Sequence, residues 1–187
     1  MRRYLEHHDP SLVAVAVGAC GSLGDDGAVP VLIRLLEHSS ERVRAGAFDA
    51  LERITGLAFG KAAERWSSWH VSEVRWWETK AESLLIRVEH GHGLEFVRAS
   101  REALEHRLYR DRIAQAFARA LQNGRGDERL LACRALAQLR SPMAVPSLVE
   151  CLEREDPKLR ESAWQALRAI TGAELPAESD SWAAFAG

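Results

Sequence analysis

The chain repeats itself, and that constrains its fold more than any other feature. Residues 128–187 laid over residues 12–71, a displacement of 116, align without a gap and agree at 17 of 60 positions. The matches include Ala28-Val29-Pro30 with Ala144-Val145-Pro146, Leu32 with Leu148, Leu36 with Leu152, Arg44 with Arg160, Ile54-Thr55-Gly56 with Ile170-Thr171-Gly172, and Trp66 with Trp182. A shorter period of 31 lies inside each block: Leu36-Glu37-His38 falls on Leu5-Glu6-His7, and Ala47, Ala50 and Ile54 fall on Ala16, Ala19 and Leu23. In the second half, Arg160, Ala163, Ala166, Leu167 and Ile170 fall on Arg129, Ala132, Ala135, Leu136 and Leu139. A unit of this length holds two helices. It cannot bury its apolar side alone, so its neighbours must cover it.

The spacing within each unit is helical. Val43, Ala47, Ala50, Leu51 and Ile54 recur at three and four residues, as do Leu159, Ala163, Ala166, Leu167 and Ile170, which places them on one face of a 3.6-residue helix. Asp9-Pro10 and Asp156-Pro157 offer a capping carboxylate followed by proline at the first helical position, where a missing N–H costs nothing. Gly56 and Gly172 end the second helix, because glycine enters the left-handed conformation without strain. No segment alternates with period two, so strands are not expected.

These residues resemble HEAT repeats, in particular the short bacterial kind related to the phycobilisome-lyase HEAT-like repeats: a helix A-V-P-x-L-x-x-x-L, a short turn such as D-P, then L-R-x-x-A-x-x-A-L-x-x-I. Residues 143–172 and 27–56 carry the pattern best, and 1–24 and 110–140 carry part of it. The resemblance implies an all-α solenoid of about five HEAT-like hairpins. Residues 1–187 would form a single domain, with blocks 12–71 and 128–187 joined by a divergent region, 72–127. A degenerate hairpin is expected over 72–108, where helical periodicity persists without the A-V-P signature. Each block continues past I-T-G into a loop ending Trp66-Ser67-Ser68-Trp69 or Trp182-Ala183-Ala184-Phe185. The aromatic is expected to fold back over the hairpin before it, as a cap.

The rest of the sequence narrows the chemistry. An apolar fraction of 47% with 28% charged residues and a net charge of -2 fits a folded chain with no global pull toward polyanions. No stretch reaches the length of a membrane span, so a cytoplasmic location is expected. Cys20, Cys133 and Cys151 lack C-x-x-C spacing and fall at helical apolar positions, as small buried hydrophobes do. No nucleophile elbow or phosphate loop is present, so no enzyme and no cofactor is expected. Glu6-His7, Glu37-His38, Glu89-His90 and Glu105-His106 resemble the paired histidines and glutamates of the iron-binding HEAT-type deoxyhypusine hydroxylases. Their order is reversed, however, and only the first two share a repeat position, so the histidines are expected to sit at helix C-termini as favourable partial charges. No metal site is expected.

The resemblance implies a non-enzymatic protein-interaction or scaffold module that binds a protein partner on the concave face lined by second helices. The repeat register selects Asp49, Arg53, Glu102, His106, Arg134, Gln138 and Gln165 as partner-contacting positions, with Gly18, Ser22 and Ala169 equivalent to them. Two other readings stand beside this one. The first is nucleic-acid binding through the ten arginines of 98–140, which face five acids, as HEAT-like DNA glycosylases use a basic groove. The second is a chromophore lyase or lyase subunit, implied by the repeat type alone. Trp76-Trp77 is a further surface candidate, since adjacent helical residues point about 100° apart and rarely both bury.

Overall fold

The computed structural model describes residues 1–186, the last by its backbone alone; the final position of the second block, 187, lies outside them. Among the described residues there are ten α-helices, four short 3-10 turns and no strand. The helices are α1 Pro10–Leu23, α2 Val29–Leu35, α3 Glu41–Thr55, α4 Ala63–His90, α5 Gly93–Ala103, α6 Arg110–Asn123, α7 Gly126–Leu139, α8 Val145–Leu152, α9 Pro157–Thr171 and α10 Ser179–Ala186. The chain divides into two compact units, Met1–Glu78 and Thr79–Gly187. The fold is the all-α, helix-pair solenoid class anticipated from the repeat.

The helix boundaries follow from the residues named above. Asp9 Oδ1 accepts the Ser11 N–H at 2.8 Å, and Asp156 Oδ1 accepts the Lys158 N–H at 2.9 Å, each beside a proline in the first turn. Gly56 and Gly172 close α3 and α9 at φ 69° and 73°. Gly24 closes α1 at φ 61°, and its register mate Arg140 closes α7 at φ 52°. A side chain there carries the left-handed penalty of roughly 1–2 kcal/mol, so the turn geometry is held by the surrounding repeat. The 3-10 turns Asp26–Ala28, Arg107–Tyr109 and Pro142–Ala144 lead directly into α2, α6 and α8, the first helices of the three complete pairs α2–α3, α6–α7 and α8–α9.

Within the first unit α1 stacks on α3 and α2 packs on α3; within the second, α6 and α8 pack on α7 and α9, α5 and α9 flank α7, and α10 lies on α8. The stacked second helices meet through small residues. Ala16, Cys20 and Gly21 on α1, Ala47 and Ala50 on α3, Ala132, Cys133 and Ala135 on α7, and Ala163 and Ala166 on α9 are all buried. A β-carbon on Gly21 would sit 2.9 Å from both Cα and Cβ of Ala50, whereas one on Gly18 would meet nothing within 4 Å. Bulk is supplied by Leu32, Leu51, Phe96, Phe117, Leu136, Leu148 and Leu167, all buried.

Two positions of the repeated apolar pattern, both expected to be buried, differ. Leu36, the C-cap of α2, and Ile170, in the last turn of α9, are half-buried, whereas their register mates Leu152 and Ile54 are buried. The divergent region also differs in form. The degenerate hairpin consists of the C-terminal part of the 28-residue α4 followed by α5, joined by an Arg87–Glu102 ion pair at 3.3 Å. The W-x-x-aromatic extensions are not loops: Trp66–Trp69 opens α4, and Trp182–Phe185 lies in α10. Their tryptophans supply the helix with a buried anchor, which outweighs the modest helix propensity of aromatics.

The two glycines of α1 should therefore respond oppositely. Gly21→Leu should destabilise the first unit by about 1–3 kcal/mol or more through overpacking against α3. Gly18→Ala should stabilise it by about 0.5–1 kcal/mol through helix propensity alone. Chemical denaturation of both variants decides this, and equal effects would exclude backbone approach at Gly21 as the packing device.

Candidate functional site

Repeat-equivalent residues make equivalent bonds, and these separate scaffold from surface. Trp66 Nε1–H donates to the Gly60 carbonyl at 3.0 Å and Trp182 Nε1–H to the Pro176 carbonyl at 2.7 Å, and both rings are fully buried. Trp66 packs edge-on against Phe59 and Trp69, and Trp182 against Phe185. Thr55 and Thr171 hydroxyls donate to the Leu51 and Leu167 carbonyls and accept the N–H of Leu57 and Ala173. Arg44 and Arg160 each donate to two carbonyls of the preceding turn, His38 and Ser39 or Arg154 and Glu155. These side chains are committed to holding the loops.

The recurring histidines are committed in the same way. His7 Nδ1 accepts the Asp9 N–H and His38 Nδ1 accepts the Ser40 N–H, each at 3.0 Å. These rings serve as acceptors in the turns that lead into α1 and α3. Glu6 pairs with Arg34 at 2.6 Å, and Glu89 pairs with Arg119. Among the described residues no group of three or more His, Cys, Asp or Glu could hold a metal ion. Cys20, Cys133 and Cys151 are free and buried, and burial pushes the Cys133 thiol up to about 12.

What remains is the outward side of the second helices. In the first unit Asp49 and Arg53 are exposed on α3, where Arg53 Nε–H reaches only the Asp49 carbonyl; Gly18 and Ser22 hold the equivalent places on α1. In the second unit Arg134 and Gln138 on α7 and Gln165 on α9 are exposed, and Gln165 donates to Glu161 at 2.6 Å. Glu102 is half-buried in its pair with Arg87. His106 lies beyond the end of α5, before the Arg107–Tyr109 turn, so it does not extend a helical face with Glu102. Buried residues give the better register: matching Ala99, Ser100 and Ala103 with Ala132, Cys133 and Leu136 brings Arg101 onto Arg134 and Glu105 onto Gln138. Arg101 is exposed and was missed because equivalent positions of α5 and α7 are 33 residues apart, one more than separates Glu102 from Arg134. Trp76 and Trp77 are both half-buried, with ring centroids 6.3 Å apart.

α5 and α7 are tied at their N-termini by one carboxylate. Glu128 accepts the Arg125 N–H and the Gly93 N–H, each at 2.9 Å, and lies 3.1 Å from His92 Nδ1. The backbone N–H of Arg125, then those of Gly93 and the His92 ring, hold its pKa down to about 2, as multiple donors to a carboxylate do. Beside this clasp Leu94, Phe96 and Val97 of α5 and Leu131 of α7 line an open apolar groove.

An all-α array of stacked helix pairs, with small residues between second helices and polar residues on their outer side, defines a helical-repeat protein. Residues 2–81 and 113–180 match the family model described as HEAT repeats, most of the chain, and the protein belongs to that family. No curated protein matches the chain. HEAT repeats generally mediate protein–protein interaction or scaffolding. Among the described residues no helix is long and apolar enough to cross a membrane.

Two stability predictions come from these bonds. Trp182→Ala should cost about 3–5 kcal/mol, and Trp182→Phe about 1–3 kcal/mol, since it strands the Pro176 carbonyl; an unchanged melting temperature in both would remove the tryptophan from the scaffold. The second concerns acid. Glu128 is held below its ordinary value of about 4.5, so its contribution is complete above that value and is lost as pH falls from about 4.5 toward 2. Melting temperature followed over that window should fall less steeply in Glu128→Gln than in the unaltered protein.

Proposed function

We propose that the protein is a non-enzymatic interaction module that holds a partner protein segment on the exposed side of its second helices, the side expected to be concave in stacked-pair arrays. The observation that carries this is a division of labour. The apolar stripes, tryptophans, threonines and turn histidines are used within the scaffold, while Asp49 and Arg53 in the first unit and Arg134, Gln138 and Gln165 in the second face solvent. Polar side chains of both signs suit a specific protein segment, whereas a phosphate backbone calls for cations at most positions. Glu102 belongs to this surface through its pair with Arg87, and Arg101 takes the place beside it.

The nucleic-acid reading has less support. Of the ten arginines of 98–140, Arg112 and Arg119 lie on the first helix α6, Arg98 and Arg101 on α5, and Arg129 and Arg134 on α7; Arg119 is paired and Arg129 bonds the Gln122 carbonyl. They form no single stripe. The finer kinship with phycobilisome-lyase HEAT-like repeats, and with it the chromophore-lyase reading, rests on the repeat motif. Buried, upshifted thiols do not favour a chromophore-handling role, and a cytoplasmic setting is part of the same proposal.

Affinity purification followed by calorimetry with the recovered partner tests the reading. Arg53→Ala and Arg134→Ala should each leave stability within about 0.5 kcal/mol, as exposed substitutions do. At least one should weaken partner binding by about tenfold, equivalent to about 1.4 kcal/mol. Unchanged affinity in both variants and in their combination would move the interaction away from the second helices.

A further inference from the structure

α1 differs from the other second helices in carrying no charge. No residue of Pro10–Leu23 is acidic or basic, whereas α3, α7 and α9 each carry both signs. A helix that is apolar all round belongs in an interior. Yet on α1 Leu12 is 42%, Val15 62% and Leu23 72% exposed.

The repeat register identifies this face. On α3 the side turned toward α1 is marked by close approaches: Ala50 lies against Gly21, and a β-carbon on Gly46 would sit 3.3 Å from Val17. Val43 and Ile54 extend the same stripe at helical spacing and are buried. Shifted back by the 31-residue period, Val43, Gly46, Ala50 and Ile54 become Leu12, Val15, Ala19 and Leu23. The exposed stripe of α1 is therefore a layer-stacking surface, and it continues the α1–α3 interface on the opposite side of α1.

We propose that two copies of the chain stack through this stripe, α1 against α1 about a twofold axis, with the helices antiparallel. Fit selects a second copy as the occupant. Centred on Val17, an antiparallel pair sets Val15 opposite Ala19, Leu12 opposite Ser22 and Leu23 opposite Ser11. Each large side chain then meets a small one, and the twofold axis repeats every contact in both directions. A parallel pair would set Leu12 on Leu12 and Val15 on Val15, leaving Ala19 and Ser22 to face each other across a gap. The Ser22 hydroxyl already donates to the Gly18 carbonyl at 3.0 Å, so covering it strands no donor. His8 and Asp9 before the helix, and Asp25 and Asp26 after it, fall at the rim, where Arg2 already holds Asp25 at 2.8 and 2.9 Å. A contact between two helices of this length is small among stable interfaces, so the dimer should be weak and reversible. Asp49 and Arg53 are on α3, outside this contact, and the proposal is independent of the partner reading above.

Sedimentation velocity of the whole chain over a rising concentration series tests it. A reversible monomer–dimer equilibrium is expected. Val15→Lys should raise the dissociation constant about tenfold or more, because its charge would be buried unpaired in the dimer, while the melting temperature stays in place. Leu12→Lys should act in the same way and associate weakly with itself. Mixed with Ser22→Glu, it should recover association, since each new lysine then faces a glutamate of the other copy, a rescue that loss of folding cannot imitate. A chain that stays monomeric throughout the series would overturn the proposal, as would a dimer indifferent to Val15→Lys or a mixture of Leu12→Lys with Ser22→Glu that associates no better than either variant alone.

Discussion

The close stacking of second helices is the interaction on which the rest of the architecture depends. Helices can approach backbone to backbone only where side chains are nearly absent, and the contact of Gly21 with Ala50 is the extreme case. Small residues bring little apolar area of their own, so the large ones on the first helices and on the flanks of the second must supply the burial, at roughly 25 cal/mol per Å². This separates two jobs within each repeat: alanine, glycine and cysteine set the spacing of layers, and leucine and phenylalanine fill the volume beside them. The same division frees the outward side of the second helices from any structural duty.

Loops in such an array have few residues with which to satisfy their carbonyls, and the chain meets that need with the same bonds in both blocks. The tryptophan of each extension holds a carbonyl six residues earlier, the threonine after the last apolar turn bridges helix and loop, and one arginine closes the inter-helix turn. The blocks diverge where a side chain can be exchanged without losing a required bond. Phe48 stands where Trp164 donates to the Leu175 carbonyl and lies under Arg168 at 4.8 Å, and Arg140 replaces Gly24 at a left-handed turn. Equivalence is kept at the level of satisfied polar groups more strictly than at the level of residue identity.

The fold was largely legible in the sequence because its signals are local and repeated: helical spacing, Asp-Pro caps, glycine stops, and a 116-residue echo that runs without a gap. The form of α4 was not, since the motif that marks a repeat is missing there and Trp66-Ser67-Ser68-Trp69 carries no mark distinguishing a loop from a first helical turn. The turn-forming role of His7 and His38 was half legible: their shared repeat position announced a common duty, but whether a ring donates, accepts or carries charge depends on the atom placed against it. The register of the outward positions on α5 was hard to read for a similar reason: burial matches Arg101 and Glu105, one residue before Glu102 and His106, with Arg134 and Gln138. Counting residues across an irregular connection accumulates error, whereas the burial of Ala99, Ser100 and Ala103 fixes the rotation of α5 directly.

Charge composition illustrates how little a tally reveals until partners are known. A run of ten arginines against five acids resembles an electrostatic footprint, yet pairs such as Arg119 with half-buried Glu89 remove charges from the available surface. Selective pairing converts a mixed sequence into a patterned face. On α5, exposed Arg98 and Arg101 stand among exposed Glu95 and Glu105 as well as Leu94 and Val97, so that face carries both signs of charge. Long-range attraction from such a face is screened within about 8–10 Å at physiological salt. Any selectivity must therefore come from contact, at side chains whose spacing is set by the clasp at the start of α5 and α7. Glu128, by tying the two helix starts together, does more to fix that spacing than the number of arginines does.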